Sequence, residues 1–403
     1  MKRSVSILLV VITMLTVVAI SPVSSSAYEK GAKLVVWTPS ASVKKVKALC
    51  NTFAKKNNVK VTVRAQEEYN SATQLLNDPK ASADVFMFTS DMIDRLAQYQ
   101  LIEPLSTSYV KKVKSADTAD SAKAATVGKK VYGFPTLTNS YYLVYNKKYI
   151  TAKQANSLES ILAICKKKNK NFIMDLWNGF YASSILFTGG LRTTGLKGIY
   201  KEKQCFNKFN KATVSKTMEA FSKLIHKYKK NFKNTSVDKI SSGFRKDTVI
   251  AGIDGCWNAQ IDKSILGKNF GVVKLPTFKV GSKSKRLMSF CGYKMYGVNS
   301  KTKYPKASQA LAYYLSSGSA QNSLINCMQG GPTNKNLCKA KSVLKKPEMK
   351  AIIEQAKYSV IQKGILNNYW DPVATLGNKL YTCDPSKTNF TKLLEQTIKN
   401  INK

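Results

Sequence analysis

Short apolar segments alternate with amphipathic helical patterns through the first hundred or so residues of the chain. Strands are predicted where apolar residues run together or alternate strictly with polar ones, over residues 34–37, 59–63 and 84–88. Between the first two, apolar side chains recur at helical spacing, at Val43, Val46, Leu49 and Phe53. This β-α-β-α-β order predicts a parallel sheet with helices on both faces.

The second half repeats the pattern with longer helices. Strands are predicted over residues 172–176, 249–253 and 270–275. Helices are predicted over residues 216–230, 305–316, 349–363 and 390–401, the third of them preceded by Pro347, which a first helical turn tolerates. Residues 289–298 form another extended segment, a candidate for a crossing back to the first half.

The segment between the two halves, residues 131–150, reads VYGFPTLTNSYYLVYNKKYI. It passes through Pro135, then a polar stretch that includes Asn139, and then an aromatic run. A two-lobed ligand-binding protein needs such a segment, a hinge strand that crosses a cleft with hydrogen-bonding side chains facing in. The sequence therefore predicts two α/β lobes joined by a hinge.

The N-terminus has the organisation of a secretory signal peptide. Lys2 and Arg3 precede an apolar run over residues 7–20, and small residues follow up to Ala27. The run is short for a membrane span, although an uncleaved anchor is the alternative. Residues 1–27 are therefore predicted to be removed from an exported, extracellular or cell-surface protein. No cysteine lies near the cleavage site, so no lipid anchor site is expected.

Length and charge limit the classes of protein. A chain of 403 residues is expected to form two domains. Its net charge of +42 comes from lysines spread over nearly every segment, with only six arginines. Nucleic-acid binding is not expected, because phosphate and base recognition favour clustered arginine. A solvated lysine-rich surface, or electrostatic association with an anionic cell wall or membrane surface, fits the pattern.

The chain has eight cysteines, an even number that permits disulfides in an exported protein. Cys327 and Cys338 flank a Gly-Gly-Pro turn and are the pair predicted to close a disulfide, whereas free buried thiols are the alternative for the others. No C-x-x-C pair occurs, so neither a zinc site nor a redox site is predicted.

Catalytic sets of residues are mostly absent from the sequence. His226 is the single histidine, so no triad with a histidine base and no histidine-based metal cluster is predicted. Paired carboxylates could still make a glycosidase. The candidates are Glu67, Glu68, Asp91, Asp94, Asp175, Asp254 and Asp371. Carboxylates at strand ends bind sugar hydroxyls equally well, and we expect a protein that is not an enzyme and needs no cofactor or metal.

The aromatic residues carry the more informative pattern. Trp37, Trp177 and Trp257 follow predicted strands, and Trp370 lies in the loop Asn-Asn-Tyr-Trp-Asp-Pro. Ligands of open α/β sheets bind at the carboxyl ends of strands, and a pyranose offers an apolar face to a ring and hydroxyls to polar neighbours. Trp37 continues an apolar run and is interpreted as core. The other three tryptophans each adjoin Asn or Asp and are predicted to contact a ligand.

At these residues the chain resembles the extracellular solute-binding proteins of carbohydrate ABC transporters, in the maltose/maltodextrin-binding group. The matching pieces run in order over almost the whole chain after the signal peptide. They are KLVVWTPS at 33–40, ADVFMFTSDMIDRLAQYQLIEPL at 83–105, the 131–150 segment, AGIDGCWNA at 251–259, VVKLPTF at 272–278, FCGYKMYGVNSKTKYP at 290–305 and GGPTNKN at 330–336.

The resemblance implies an α/β, two-lobed, periplasmic-binding-protein type II-like fold. Each lobe is expected to be a mainly parallel sheet flanked by helices. The implied N-lobe comprises residues 28–137 plus 292–338, and the C-lobe residues 138–291 plus 339–403. The implied crossing segments lie near residues 135–142, 288–294 and 336–346.

The resemblance also implies the site residues. Phe88 and Asp91 match positions that stack on and hydrogen-bond a sugar, and Asn139 matches a polar hinge position. The remaining implied contacts are Trp177, Asn178, Phe180, Trp257, Trp370 and Asp371. Two features depart from the family: the acids of the maltose site are largely Asn or Ser here, and the chain is far more basic.

The resulting hypothesis is a monomeric exported binding protein. It captures an oligosaccharide, maltodextrin-like in kind, between two lobes and delivers it to an ABC transporter permease. Three alternatives stay open: a ferric-ion binder using Tyr141, Tyr142 and Tyr145, a wall-associated basic protein, and a secreted glycosidase or lyase.

Overall fold

The computed structural model describes residues 28–29, 31–197 and 202–403. The predicted signal peptide, residues 1–27, lies outside these residues. Within them, no helix combines the length and the apolar character needed to cross a membrane.

The chain begins with alternating strands and helices, as the sequence pattern predicts. These elements are β1 (Lys33–Thr38), α1 (Val43–Asn57), β2 (Lys60–Ala65), α2 (Glu68–Asn77), β3 (Val85–Thr89), α3 (Ile93–Gln98), α4 (Thr107–Ala116), α5 (Ala119–Ala124), β4 (Thr126–Val127) and β5 (Lys130–Val131). The long strand β6 (Phe134–Asn146) follows.

The middle of the chain forms a second α/β unit. Its elements are α6 (Leu158–Lys168), β7 (Asn171–Ile173), α7 (Gly179–Gly189), β8 (Thr193–Lys197), β9 (Lys203–Phe206), α8 (Lys211–Lys227), β10 (Phe232–Lys233), α9 (Asp238–Arg245), β11 (Val249–Gly255), α10 (Ala259–Leu266), β12 (Phe270–Val273), β13 (Thr277–Val280) and β14 (Lys283–Arg286).

A second long strand and a run of helices complete the chain. They are β15 (Ser289–Val298), α11 (Pro305–Leu315), α12 (Gly318–Met328), α13 (Lys335–Lys339), α14 (Lys341–Leu344), α15 (Pro347–Ala356), β16 (Ser359–Ile361), α16 (Trp370–Thr382) and α17 (Phe390–Ile401). Proline occupies the first turn of both α11 and α15, where its missing N–H costs no intrahelical hydrogen bond.

One sheet runs through both units, in the order β10-β7-β11-β6-β15-β3-β1-β2, with β12 also on β6 and β16 on β15. The first half of β6 pairs antiparallel with β15, and its second half pairs antiparallel with β11 and β12. Away from these long strands the pairing is parallel, as between β1 and β2 and between β7 and β11. The predicted two-lobed α/β fold is confirmed, with β6 and β15 as strands that pass from one lobe to the other.

Two hydrophobic cores lie at the two ends of this sheet. One contains the buried side chains of β1–β3 and α11, and it defines what we call the first lobe. The other contains those of β7, β11, α7, α8, α16 and α17, and it defines the second lobe. Along β6, Leu137 belongs to the first core and Tyr141 to the second. The exact lobe boundaries drawn from the sequence stay a prediction.

The third crossing lies later in the chain than the sequence suggested. Residues 336–346 form most of α13 and α14, and Val343 is buried in the first core. The chain passes between the cores within α15, where Met349 belongs to the first core and Ala351 to the second. Burial of apolar side chains such as Val343 holds these short helices on the first lobe.

The predicted disulfide is absent, since all eight cysteines are free thiols. Cys327 lies on α12 with its sulfur 3.3 Å from the carbonyl oxygen of Leu324. Cys338 lies on α13 with its sulfur 3.2 Å from the carbonyl oxygen of Pro332. The two cysteines lie on separate helices and their sulfurs contact different backbone carbonyls. Their closeness to a common turn in the sequence could not reveal this.

Candidate functional site

Three aromatic side chains of the second lobe form what we call the aromatic wall: Phe180, Trp257 and Trp370. The ring of Phe180 lies 6.2 Å from that of Trp257, centroid to centroid. Phe290 on β15 joins the set from behind, nearly parallel to Phe180 at 5.9 Å and 5.7 Å from Trp370. Such contacts fix ring orientation and add to the burial of apolar area.

Trp257 sits on the turn that follows β11. The indole lies directly over Gly255, where an added Cβ would come within 2.2 Å of its ring carbons. Asp254 holds this turn, because its Oδ1 accepts hydrogen bonds from Gly255 N–H at 2.7 Å and Asn258 Nδ2 at 2.8 Å. Trp257 remains 38% exposed, so the turn presents an indole face outward.

A buried acid pair supports the same turn. Asp254 and Asp262 are both buried, and Ser241 donates to Asp262 Oδ1 at 2.6 Å. Burial raises the pKa of both carboxyls, and for Asp254 the neighbouring Asp262 raises it further. The pair therefore retains a proton well above the pH range in which ordinary carboxyls ionise.

The N-terminus of α7 carries the next predicted residues. Asn178 caps the helix, accepting a hydrogen bond from Phe180 N–H at 2.9 Å on its Oδ1. Trp177 is 60% exposed, and its N–H donates to Asp175 Oδ1. A pocket of about 500 Å³ opens here, lined by Asp175, Trp177, Asn178, Gly179, Asn234, Thr235, Ser236, Trp370, Asp371 and Ala374. Trp370 and Asp371, which are far away in sequence, thus lie beside Trp177 and Asn178.

Asn139 lies on β6, the strand that passes from one lobe to the other. It is opposite Gly292 of β15, and its Oδ1 is 4.0 Å from the sulfur of Cys256, the residue before Trp257. A Cβ added to Gly292 would lie 2.8 Å from Gln362 Oε1, so this amide covers the glycine next to Asn139. We call Asn139, Gly292 and Gln362 the polar floor, because they connect the aromatic wall to the first lobe.

Of the two first-lobe residues predicted to contact a ligand, Asp91 remains a candidate and Phe88 does not. Asp91 follows β3, and its Oδ1 is buried without a hydrogen-bond partner among the described residues. Burial raises the pKa of this carboxyl. Phe88, expected to stack on a ligand, is fully buried, with its ring against Phe86 and under Gly297 of β15. It belongs to the core, because its strand is covered on both faces, and it offers no ring face to a ligand.

Sequence reasoning missed three residues of this region: Phe290, Gln362 and Lys294. Phe290, Gly292 and Lys294 alternate along β15 and so project to one face of the strand. The Lys294 ammonium lies 2.6 Å from the Glu68 carboxylate, with both side chains only about one-seventh exposed. The alternation was readable in the sequence, but which face met the aromatic wall was not.

The arrangement suits binding by stacking and hydrogen bonding. His226, the single histidine, is exposed on α8 and contributes nothing to this region. Within the described residues, no group of three or more His, Cys, Asp or Glu side chains is placed to hold a metal ion.

Two α/β lobes, each with its own core and joined by strands that pass from one to the other, are the architecture of a solute-binding protein. The profile of the family described as "Bacterial extracellular solute-binding protein" matches residues 48–351, and the chain belongs to that family.

Relatives of known designation cover nearly the whole chain. A galactooligosaccharide-binding protein of Bacillus subtilis (strain 168) is 26% identical over 393 residues, covering 93% of this chain and 89% of its own. A maltooligosaccharide ABC transporter solute-binding lipoprotein of Streptococcus pneumoniae (strain ATCC BAA-255 / R6) is 25% identical over 360 residues, covering 85% and 82%.

Solved structures share the fold. The maltodextrin binding protein from L. casei BL23, without ligand, superposes with a TM-score of 0.81 at 25% identity, covering 93% of this chain and 100% of its own. A cyclo/maltodextrin-binding protein complexed with maltotetraose gives a TM-score of 0.76 at 22% identity, covering 93% and 97%.

Proposed function

We propose that this protein captures a neutral oligosaccharide between its two lobes and passes it unaltered to an ABC transporter permease. The observation that carries the proposal is the aromatic wall, partly exposed indole and phenyl rings set beside the polar floor. A pyranose ring stacks its apolar face on such rings while its hydroxyls reach the amides of Asn139 and Gln362. The relatives named for galacto- and maltooligosaccharides support this class of ligand.

The mechanism needs only a bridging ligand. The aromatic wall belongs to the second lobe, whereas Asp91 belongs to the first. A ligand that contacts both lobes binds a closed arrangement better than an open one and shifts the population toward closure. In this hypothesis β6, β15 and α15 bend, and the permease receives the closed form.

A ferric-ion site at the tyrosine run is not favoured by the geometry. Tyr141, Tyr142 and Tyr145 are all buried in the second lobe. The Tyr141 hydroxyl donates to the carbonyl oxygen of Phe180 at 3.1 Å, and burial raises the pKa of Tyr142 well above its usual range. Phenols that are buried and held neutral are poor iron ligands, since tyrosinate is the binding form.

Calorimetry with malto-, galacto-, xylo- and manno-oligosaccharides tests the proposal. We expect dissociation constants well below about 1 mM for at least one series. Small-angle scattering on the tightest ligand should show a smaller radius of gyration with sugar than without. A panel without binding, or binding without compaction, would contradict capture by closure.

A further inference from the structure

The Lys294–Glu68 pair stands out among the ion pairs of the described residues. Its Nζ–Oε1 distance is 2.6 Å, and its side chains are 14% and 13% exposed. Burying a charged pair is costly unless further partners satisfy its remaining donors and acceptors. An ammonium has three N–H donors and a carboxylate about four acceptor sites, so the contact between them leaves most of this capacity free.

The position of Lys294 in the fold indicates what kind of ligand the ammonium and the carboxylate of the pair would bind. Lys294 lies two residues from Gly292 of the polar floor and four from Phe290, which packs on the aromatic wall. The side chains of Phe290 and Lys294 project from one face of β15, the face on which Gly292 lies between them. Burial raises the pKa of the Cys256 thiol, and the Lys294 charge lowers it in part, which puts Lys294 within electrostatic reach of the Trp257 turn.

The two charges belong to the lobe opposite the aromatic wall. Lys294 is in the half of β15 that pairs with Thr89 of β3, and Glu68 begins α2. A sugar stacked on the second lobe would therefore turn its hydroxyl edge toward this pair.

Resting on the proposed function, we propose that Lys294 and Glu68 form the first-lobe recognition element of the sugar site and select two neighbouring hydroxyls. The Lys294 ammonium donates to one hydroxyl oxygen, and the Glu68 carboxylate accepts from the adjacent hydroxyl. Because the pair neutralises itself, the ligand it fits is an uncharged sugar with vicinal hydroxyls.

The test compares sugar affinity in Lys294→Met, Glu68→Gln and the double variant Lys294→Met/Glu68→Leu by calorimetry. Losing a charge-assisted hydrogen bond is expected to weaken binding by about 30-fold in each. The double variant leaves no buried charge unpaired, so it keeps the test decisive if a single variant unfolds.

The matched control is Lys170→Gln/Asp247→Asn. That pair, 3.1 Å apart, lies at the N-terminal ends of β7 and β11, the edge of the sheet opposite Trp177 and Trp257. We expect the sugar affinity of this control variant to stay within roughly twofold of that of wild type, as for a surface change remote from the site.

Binding of a deoxy-sugar distinguishes recognition of hydroxyls by the pair from a purely structural role. Wild type should discriminate strongly between the sugar and the analogue lacking one of the vicinal hydroxyls, and the double variant should lose that discrimination. A merely structural effect would weaken both ligands equally and leave their ratio unchanged.

The outcomes are distinct for the two proposals. A folded double variant with wild-type affinity, or with an unchanged ratio between sugar and analogue, overturns the recognition role while leaving sugar capture intact. A wild-type protein that binds no sugar of the panel rejects the proposed function, and the role of the pair falls with it.

Discussion

At the scale of single residues, the candidate site depends on which ring faces are left uncovered. Trp257 and Phe88 both follow or end a buried strand and look equivalent in the sequence. The structure leaves Trp257 38% exposed and buries Phe88 completely. The difference arises because β11 ends in a turn beyond the sheet, whereas Phe88 is covered by β15 and its own neighbours.

Trp257→Ala should weaken sugar binding by about 1–3 kcal/mol, because an aromatic platform of partly exposed area is lost. The free energy of unfolding should change little, since much of the indole already faces solvent. Titration calorimetry and urea unfolding measure the two quantities. A large loss of stability with unchanged affinity would assign the indole to the core instead.

Gly255→Ala should displace the Trp257 indole, since the new Cβ would lie 2.2 Å from ring carbons. We expect weaker sugar binding and a shifted tryptophan emission. The control is Gly318→Ala on α12, where the Cβ would meet only the Asn334 side chain at 3.4 Å. Equal affinities for the two alanine variants would argue against the indole as a sugar platform.

At the scale of elements, the sequence predicted whether a segment is a helix or a strand better than it predicted where the segment ends. Helix α17, strand β15 and the start of α11 agree with the apolar pattern, because amphipathic periodicity and a proline at the first turn are local signals. The helix expected over residues 349–363 instead ends at Ala356, and β16 follows beside β15. Pairing with residues seventy positions earlier in the chain replaced the helical continuation, and a local pattern cannot reveal such long-range pairing.

The turn after β11 makes stability depend on pH. The pKa values of Asp254 and Asp262 are raised by burial, and the surrounding Tyr142 and Tyr181 hydroxyls are held neutral by the same cause. The folded state therefore binds more protons than the unfolded chain, whose carboxyls titrate near pH 4. The contribution of this pair is fully present below that pH and is lost as the pH rises through the raised values.

Asp262→Asn should weaken the dependence of stability on pH. The variant removes one titrating carboxyl, and the pKa of Asp254 is then no longer raised by a neighbouring acid. Urea unfolding at about pH 4.5 and about pH 7.5 measures the slope. We expect a smaller loss of stability toward the higher pH than in wild type. Asp371→Asn, at an exposed position, is the control and should keep the wild-type slope. An Asp262 variant that also keeps this slope would contradict a raised pKa at the turn after β11.

At the scale of the whole molecule, positive charge is spread over the surface and is not concentrated at one site. The net charge of +42 is distributed over both lobes, with exposed lysines on most helices. We therefore propose that the protein is retained at an anionic cell wall or membrane surface by its overall field rather than by one patch. In this proposal, retention does not depend on the sugar site.

Co-sedimentation with an anionic wall polymer tests this proposal. Binding should weaken steeply with added salt, because ions screen exposed charges beyond about 10 Å at 0.1 M. Charge reversal of Lys166, Lys167 and Lys168 at the exposed end of α6 should reduce it only partly. Binding that survives high salt, or that disappears with this one patch, would rule out a distributed field.

The sequence by itself determined the α/β class and the long crossing segment that became β6, because apolar periodicity and turn residues are local signals. It also predicted Trp177, Trp257 and Trp370 as ligand contacts, and that prediction stays untested. Only the tertiary structure decided that Phe88 is core, that Cys327 and Cys338 stay apart, and that Lys294 meets Glu68. Those outcomes depend on which faces of β3, β15 and α12 are covered, and coverage is set by packing between segments that lie far apart along the chain.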